Sequence, residues 1–353
     1  MATTTQFNPN AELNAALIAA GASKTVYALV TPETERAKVA TFGDEGSETR
    51  AEYLEQFRDA WTGKQDRYHE EFIDTWHAWS RPLVDLDRDL FPFSYPTAGA
   101  SESIRHLIFD LAARTRGNGR VFVFAGEYEG YRAMAEAAGL KVVEIDRNDW
   151  HTPNKVINRA AWEMLHNGRD LFFLSQPSAI DGNVWADYDE FMEGMPANSV
   201  VVDVTYVGAV HDTGVMFNMN YPAVRNVVFS LSKPFGAYYD RVGGVFCREE
   251  DLGLFGNKWF KGLTGIRLGT ILLQSHSVFY LPHTYAGLQQ LCVNQVAYRL
   301  GIPLRPADVF ILANFDGAGL PPLPINEYLK RAGKLRVCLT PGMSRHLGTS
   351  GAV

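Results

Sequence analysis

Residues 224–247 read VRNVVFSLSKPFGAYYDRVGGVFC, and the fold turns on how this stretch is understood. VRNVVFS (224–230) and VGGVFC (242–247) are short apolar runs bounded by turn residues. Runs of that length and character are strands covered on both faces. Lys233 follows the first strand and Arg241 immediately precedes the second. A lysine at the end of an apolar strand faces a low-dielectric crevice. Burial lowers its pKa and frees a neutral amine for imine formation. For an isolated lysine a solvated surface position is the commoner reading. Arg241 is a natural bidentate partner for a phosphate, and Ser230 stands at the same strand end.

Upstream, SVVVDV (199–204) is another apolar strand, and Asp203 closes it. A carboxylate there sits where open α/β sheets bind ligands, and it needs a cationic or hydrogen-bonding partner. A turn cap is the plainer alternative. Tyr206 follows three residues later. Further back, PTAGASESI (96–104) places Gly99, Ala100 and Ser101 at the start of a helix. Free N–H groups and a partial positive charge there suit a phosphate. For this turn taken alone, Ser101 as an ordinary N-cap with Gly99 making the turn is the commoner reading.

From about residue 95 the pattern alternates. Helices are expected over 101–116, 131–138 and 158–167. Strands are expected over 120–125, 141–145, 170–175, 199–204, 224–230 and 242–247. This predicts an α/β fold with a mostly parallel sheet covered on both faces. Residues 11–20 read as a short helix. Residues 50–80 read as two helices broken near Gly63, carrying the aromatic stripe Tyr53, Phe57, Trp61, Tyr68, Phe72, Trp76 and Trp79 as a core or dimer face. Residues 252–300 look helical. Strands over 309–315 and 335–339 flank GAGLPPLP (317–324) and suggest a small α+β domain. The final TSGAV reads as a frayed tail.

The sequence has 353 residues, 46% hydrophobic and 21% charged, which suits a soluble globular enzyme. A net charge of −7 argues against a nucleic-acid partner. No apolar run is long enough for a membrane span. The N-terminus lacks a basic region ahead of an apolar run, so no secretory signal is expected. Cys247, Cys292 and Cys338 are widely spaced, which fits a reducing cytoplasm and no zinc cluster. His276 and His283 are split by Pro282, so no metal site is expected. With Tyr280 and Tyr285 they line a pocket or a dimer interface, or simply pack. No P-loop, dinucleotide glycine fingerprint or nucleophile elbow occurs.

Taken in order, these pieces resemble the fold-type-I pyridoxal-5′-phosphate (PLP) enzymes, the aspartate aminotransferase superfamily with its class I/II aminotransferases. FSLSKPFGAYYDRVGGVF resembles that superfamily's lysine segment, including the eight-residue step from lysine to arginine. VVVDVTY resembles its Asp-x-x-Tyr strand end, and PTAGASESI its phosphate-cup turn. The resemblance implies a large domain with a seven-stranded sheet over 60–278, and a small α+β domain from 1–59 and 279–353. It also implies a homodimer with active sites near the interface.

By the same resemblance, Lys233 holds PLP as a Schiff base and shuttles the substrate α-proton, through an external aldimine and a Cα carbanion (quinonoid). Asp203 pairs with the pyridinium nitrogen and Tyr206 bonds the ring 3′ oxygen. Gly99, Ala100, Ser101, Ser230 and Arg241 hold the phosphate. Tyr128, in GEYEGY, stacks on the ring. Arg336, in KLRVCLTPG, clamps the substrate carboxylate.

The sequence departs from the family at one turn. Where the family has Asn-Pro-x-Asn-Pro-Thr-Gly, this chain has QPSAIDGN (176–183). Ala179 takes the place of the asparagine that touches the ring 3′ oxygen. Ser178 or Asn183 substitutes for it, or the contact is absent. An amino-acid aminotransferase is the first expectation. The alternative is elimination, replacement or cyclisation at Cβ or Cγ of a substrate with a leaving group, such as S-adenosylmethionine, in specialised metabolism. A non-catalytic binding protein is disfavoured, because the lysine, aspartate and arginine are all in place.

Overall fold

The computed structural model describes residues 9–58, 66–147, 169–260, 262–317 and 320–348. The helix expected over 158–167, the break near Gly63 and the tail at 349–353 lie outside them. At the centre is a seven-stranded sheet. Its strands are β1 (Phe93–Thr97), β2 (Arg120–Phe124), β3 (Lys141–Ile145), β4 (Asp170–Ser175), β5 (Val200–Asp203), β6 (Val224–Ser230) and β7 (Gly243–Cys247). The spatial order is β1-β7-β6-β5-β4-β2-β3. All neighbours are parallel except β7, which runs antiparallel to both β1 and β6. The chain therefore has the α/β fold with a mostly parallel sheet that its sequence pattern predicts.

Side-chain character explains the layers. β4 and β5 are buried at every position, as strands sandwiched between helices must be. On one face, Phe72 and Trp76 of the helix Asp66–Ser80 pack against β6, with Trp76 stacked on Phe229 at 4.1 Å. On the other face, Ile104, Ile108 and Leu111 of the helix Ala100–Thr115 join Val121, Phe173 and Val228. Each such buried side chain stabilises the fold by about 1.5–3 kcal/mol. Thus Phe72, Trp76 and Trp79 of the aromatic stripe belong to the core, as does Tyr285.

The elements outside the sequence expectations include an edge strand and two helices. β1 contains Pro96, which cannot donate to a ladder; it is tolerated because β1 is an edge strand. The helix Pro32–Phe42 starts at Thr31, whose hydroxyl accepts from the Thr34 N–H, with proline at the first helical position. The helix Thr340–Leu347 follows the last strand.

A second, four-stranded antiparallel sheet is built from β8 (Arg305–Pro306), β9 (Leu312–Asp316), β10 (Lys330–Arg331) and β11 (Lys334–Cys338), in the order β8-β9-β11-β10. The N-terminal segment docks beside β11 through a bridge between Ser23 and Cys338, with hydrogen bonds of 2.9 and 2.8 Å. From there, residues 24–30 pass over the carboxyl end of the large sheet. Among the described residues no helix is long and apolar enough to cross a membrane, and no group of three His, Cys, Asp or Glu suits a metal.

Candidate active site

Parallel strands end together, so the side chains closing β4, β5 and β6 share one edge. Ser175 and Asp203 are register partners there, and Ser230 closes the next strand. A cavity of about 290 Å³ opens at this edge. Ala100, Ser101, Tyr128, Asp203, Tyr206, Ser230, Lys233, Arg241 and Arg336 line it. The structure thus brings residues from five separated segments of the sequence to one cavity. Gly99 stands just behind the wall, where a Cβ would lie 3.0 Å from the Arg241 guanidinium. Its φ of +79° is also one that favours glycine.

The Lys233 amine donates to the Val26 carbonyl at 2.6 Å. Burial pulls its pKa down to about 8. Imine formation between this amine and an added aldehyde is therefore expected to accelerate about tenfold per pH unit up to pH ~8 and then level off. Stopped-flow absorbance measures this; a profile still rising steeply above pH 9 contradicts it.

Asp203 Oδ1 accepts from the Thr205 N–H at 2.9 Å and from the Thr205 hydroxyl, and Oδ2 accepts from the Tyr131 hydroxyl at 3.1 Å. Burial nevertheless raises its pKa, while those bonds and the Lys233 charge oppose the rise. A cationic N–H arriving from the cavity would complete its compensation. Burial likewise pushes the Tyr206 phenol up to about 12, so it is a neutral donor at physiological pH.

Arg241 donates to the Ala98 carbonyl at 2.8 Å across the start of the helix Ala100–Thr115. Ser230 and Ser232 hydrogen bond at 2.9 Å on the same wall. Arg336 is buried, donating to the carbonyls of Ala179 and Lys24. Tyr128 packs edge-on to Tyr131 at 5.3 Å, its ring lying over Gly130, where a Cβ would be 2.3 Å away.

Ser178 and Asn183 do not line the cavity. The Ser178 hydroxyl accepts from Arg147 at 2.8 Å, and Asn183 Oδ1 accepts from the Asp308 N–H and from Asn314. These partners lie outside the turn 176–183, and they hold both side chains away from the cavity wall. Sequence reasoning missed Ser175, Thr205, Tyr131 and Ser232, together with Thr25, Val26 and Arg331 of the cavity wall. Tyr131 was within reach, since it lies one helical turn beyond Tyr128 and shares its face.

The class I and II aminotransferase model matches residues 95–284, more than half of the chain. The chain belongs to that family. No curated protein sequence matches it. Among solved structures it is similar to the PLP-bound C-S lyase of Staphylococcus hominis at 12% identity, TM-score 0.63, covering 99% of this chain and 91% of that one. A methionine aminotransferase from Escherichia coli is similar at 14% identity, TM-score 0.61, with 99% of each chain covered. Aspartate aminotransferase from Thermus thermophilus, with maleate, follows at 13% identity and TM-score 0.60, covering 97% and 95%. These three share the fold. As a class I/II aminotransferase-family member, the chain is a PLP-dependent enzyme of the transferase or lyase kind, acting on amino acids. The cavity fits that cofactor. It joins a half-buried amine, a buried carboxylate and an arginine at a helix start.

Proposed function

We propose that the enzyme is an amino-acid aminotransferase in which Lys233 holds the cofactor covalently. What carries this reading is the sharing of one buried cavity by the Lys233 amine, the Asp203 carboxylate and the Arg336 guanidinium. Bound there, PLP supplies an electron sink conjugated to the substrate amino group. Arg241, Ser230 and the N–H groups of Ala100 and Ser101 bind its phosphate. Asp203 would hold a proton on the ring nitrogen, Tyr128 would lie against the ring and Tyr206 would donate to the ring oxygen. Arg336 binds the substrate carboxylate and orients the Cα–H bond, and Lys233 Nζ takes that proton. Residues 60–278 form the cofactor-binding body, and 1–59 with 279–353 the smaller one. The enzyme works as a homodimer.

A screen of amino acids against the visible cofactor band tests the reaction. Bleaching by an amino donor and restoration by a keto acid support transamination. Ala179 favours a second reading. It puts a methyl group where the family turn places an amide, which changes the electronics of the ring oxygen. Release of a leaving group without bleaching would move the assignment to elimination, replacement or cyclisation.

Arg336→Ala is expected to weaken amino-acid binding by about 30-fold or more, the cost of leaving a buried carboxylate unpaired. PLP content should stay unchanged. Spectral titration with substrate measures the loss, and loss of PLP instead removes Arg336 from its assigned role. Arg336→Lys keeps the charge if the alanine variant does not fold.

A further inference from the structure

Glu127 is a buried carboxylate that the mechanism above does not use. It precedes Tyr128 at the end of β2 and accepts the Ser175 hydroxyl at 2.7 Å. It also accepts the backbone N–H groups of Ser175 at 3.4 Å and Tyr128 at 3.3 Å. Ser175 lines the cavity beside Ala179, and its oxygen accepts the Ala179 N–H at 2.7 Å. The serine is thus tied to the same turn whose amide is missing.

We propose that Glu127 is a positioning residue that acts through Ser175, deciding whether the serine hydroxyl is offered to the cofactor ring. This rests on the reading that PLP occupies the cavity on Lys233. A hydroxyl has one proton and two lone pairs. With Glu127 ionised, the serine proton points at the carboxylate and away from the cavity. With Glu127 protonated, the carboxyl O–H donates to the serine oxygen, and the serine proton is free to turn into the cavity. The Ala179 N–H occupies the other lone pair in both states.

Burial raises the Glu127 pKa from its ordinary value to about 7, so the two states exchange near neutrality. The charged groups around it are consistent with this. Arg147 opposes the rise, but its hydrogen bonds go to Ser178 and Asp181. Tyr131 and Tyr206 are coupled to it from the cavity side, where Asp203 also lies. Lys24, Glu129, Arg132, Glu144, Lys330 and Arg331 line the cleft behind it. Among these, Arg132 is paired with Glu144 and Arg331 with Glu129.

The test is a pH titration of the visible cofactor band in holoenzyme. A donor to the ring oxygen lowers the midpoint, so Ser175→Ala should raise it by about one pH unit. Glu127→Gln mimics the protonated acid, donating to the serine at every pH. It should lower the midpoint and remove any inflection near pH 7. In the double variant the Glu127→Gln effect should vanish, leaving the Ser175→Ala value. A Lys233-dependent band whose midpoint ignores both substitutions overturns the inference alone, as do shifts in the same direction that simply add. If Glu127→Gln does not fold, an unmoved midpoint in Ser175→Ala is sufficient to overturn it. Absence of a Lys233-dependent band overturns the cofactor placement together with this inference.

Discussion

Lys233→Ala is expected to lose covalent capture of PLP entirely and to lose turnover by about 10,000-fold. The site is built around one amine. Lys233 lies in a buried cavity with its Nζ held by the Val26 carbonyl, its pKa down at about 8. Borohydride reduction of the native holoenzyme, followed by peptide mapping, should place the cofactor on the peptide containing Lys233. The variant should give no labelled peptide, while PLP still binds reversibly through Arg241 and the start of the helix Ala100–Thr115. The loss of rate corresponds to removing a positioned general base, whose contribution reaches about 10⁴-fold. Labelling at another lysine, or turnover within a factor of ten of wild type, would remove Lys233 from the mechanism. Lys233→Arg separates charge from nucleophilicity. It keeps a cation facing Asp203, and it too should fail to capture the cofactor.

The second large effect is expected at Asp203. Asp203→Asn keeps the shape of the strand end but removes the charge that holds a proton on the ring nitrogen. Breaking a buried, hydrogen-bonded charge pair costs about 2–5 kcal/mol, so turnover should fall roughly 30- to 5,000-fold. The asparagine keeps its oxygen for Thr205, and its amide N–H can donate to the Tyr131 hydroxyl oxygen in place of the second carboxylate oxygen, so folding should be largely preserved. The measurement is the rate of substrate α-proton exchange with solvent deuterium, which isolates the step that the electron sink assists. Exchange unchanged with PLP fully loaded contradicts the assignment. Asp203→Glu restores the charge at the wrong reach and should recover only part of the rate.

The strands were legible because burial on both faces writes a simple signal. DLFFLS and VRNVVFS need no partner information, and Asp170–Ser175 and Val224–Ser230 fall where the apolar runs lie. The lysine segment was legible because its chemistry is local, with strand, amine, turn and guanidinium inside one stretch. The edge strand Phe93–Thr97 was not, since a proline and two polar residues in FSYPT mask an element whose only ladder is with β7. Ser178 and Asn183 stand outside the cavity lining, because sequence proximity to a turn does not say which way a side chain faces. Glu127 and Ser175 were invisible for a different reason. They are 48 residues apart, and only the parallel pairing of β2 with β4 makes them neighbours.

The N-terminal segment gives this site an unusual dependence on time. Val26 caps the lysine amine, and the Lys24 carbonyl meets the Arg336 guanidinium across 312 positions of sequence. Contacts of such separation close late, because loop-closure entropy is paid before they form. A nascent chain would therefore complete the large sheet, with Asp203 and Arg241 at its edge, well before residue 336 emerges to meet residues 24–26. Until then the Lys233 amine lacks its cap and the cavity lacks its Arg336 guanidinium. Completion of the cavity becomes a late step of synthesis, and stalled chains would lack the part of its wall that Arg336 supplies.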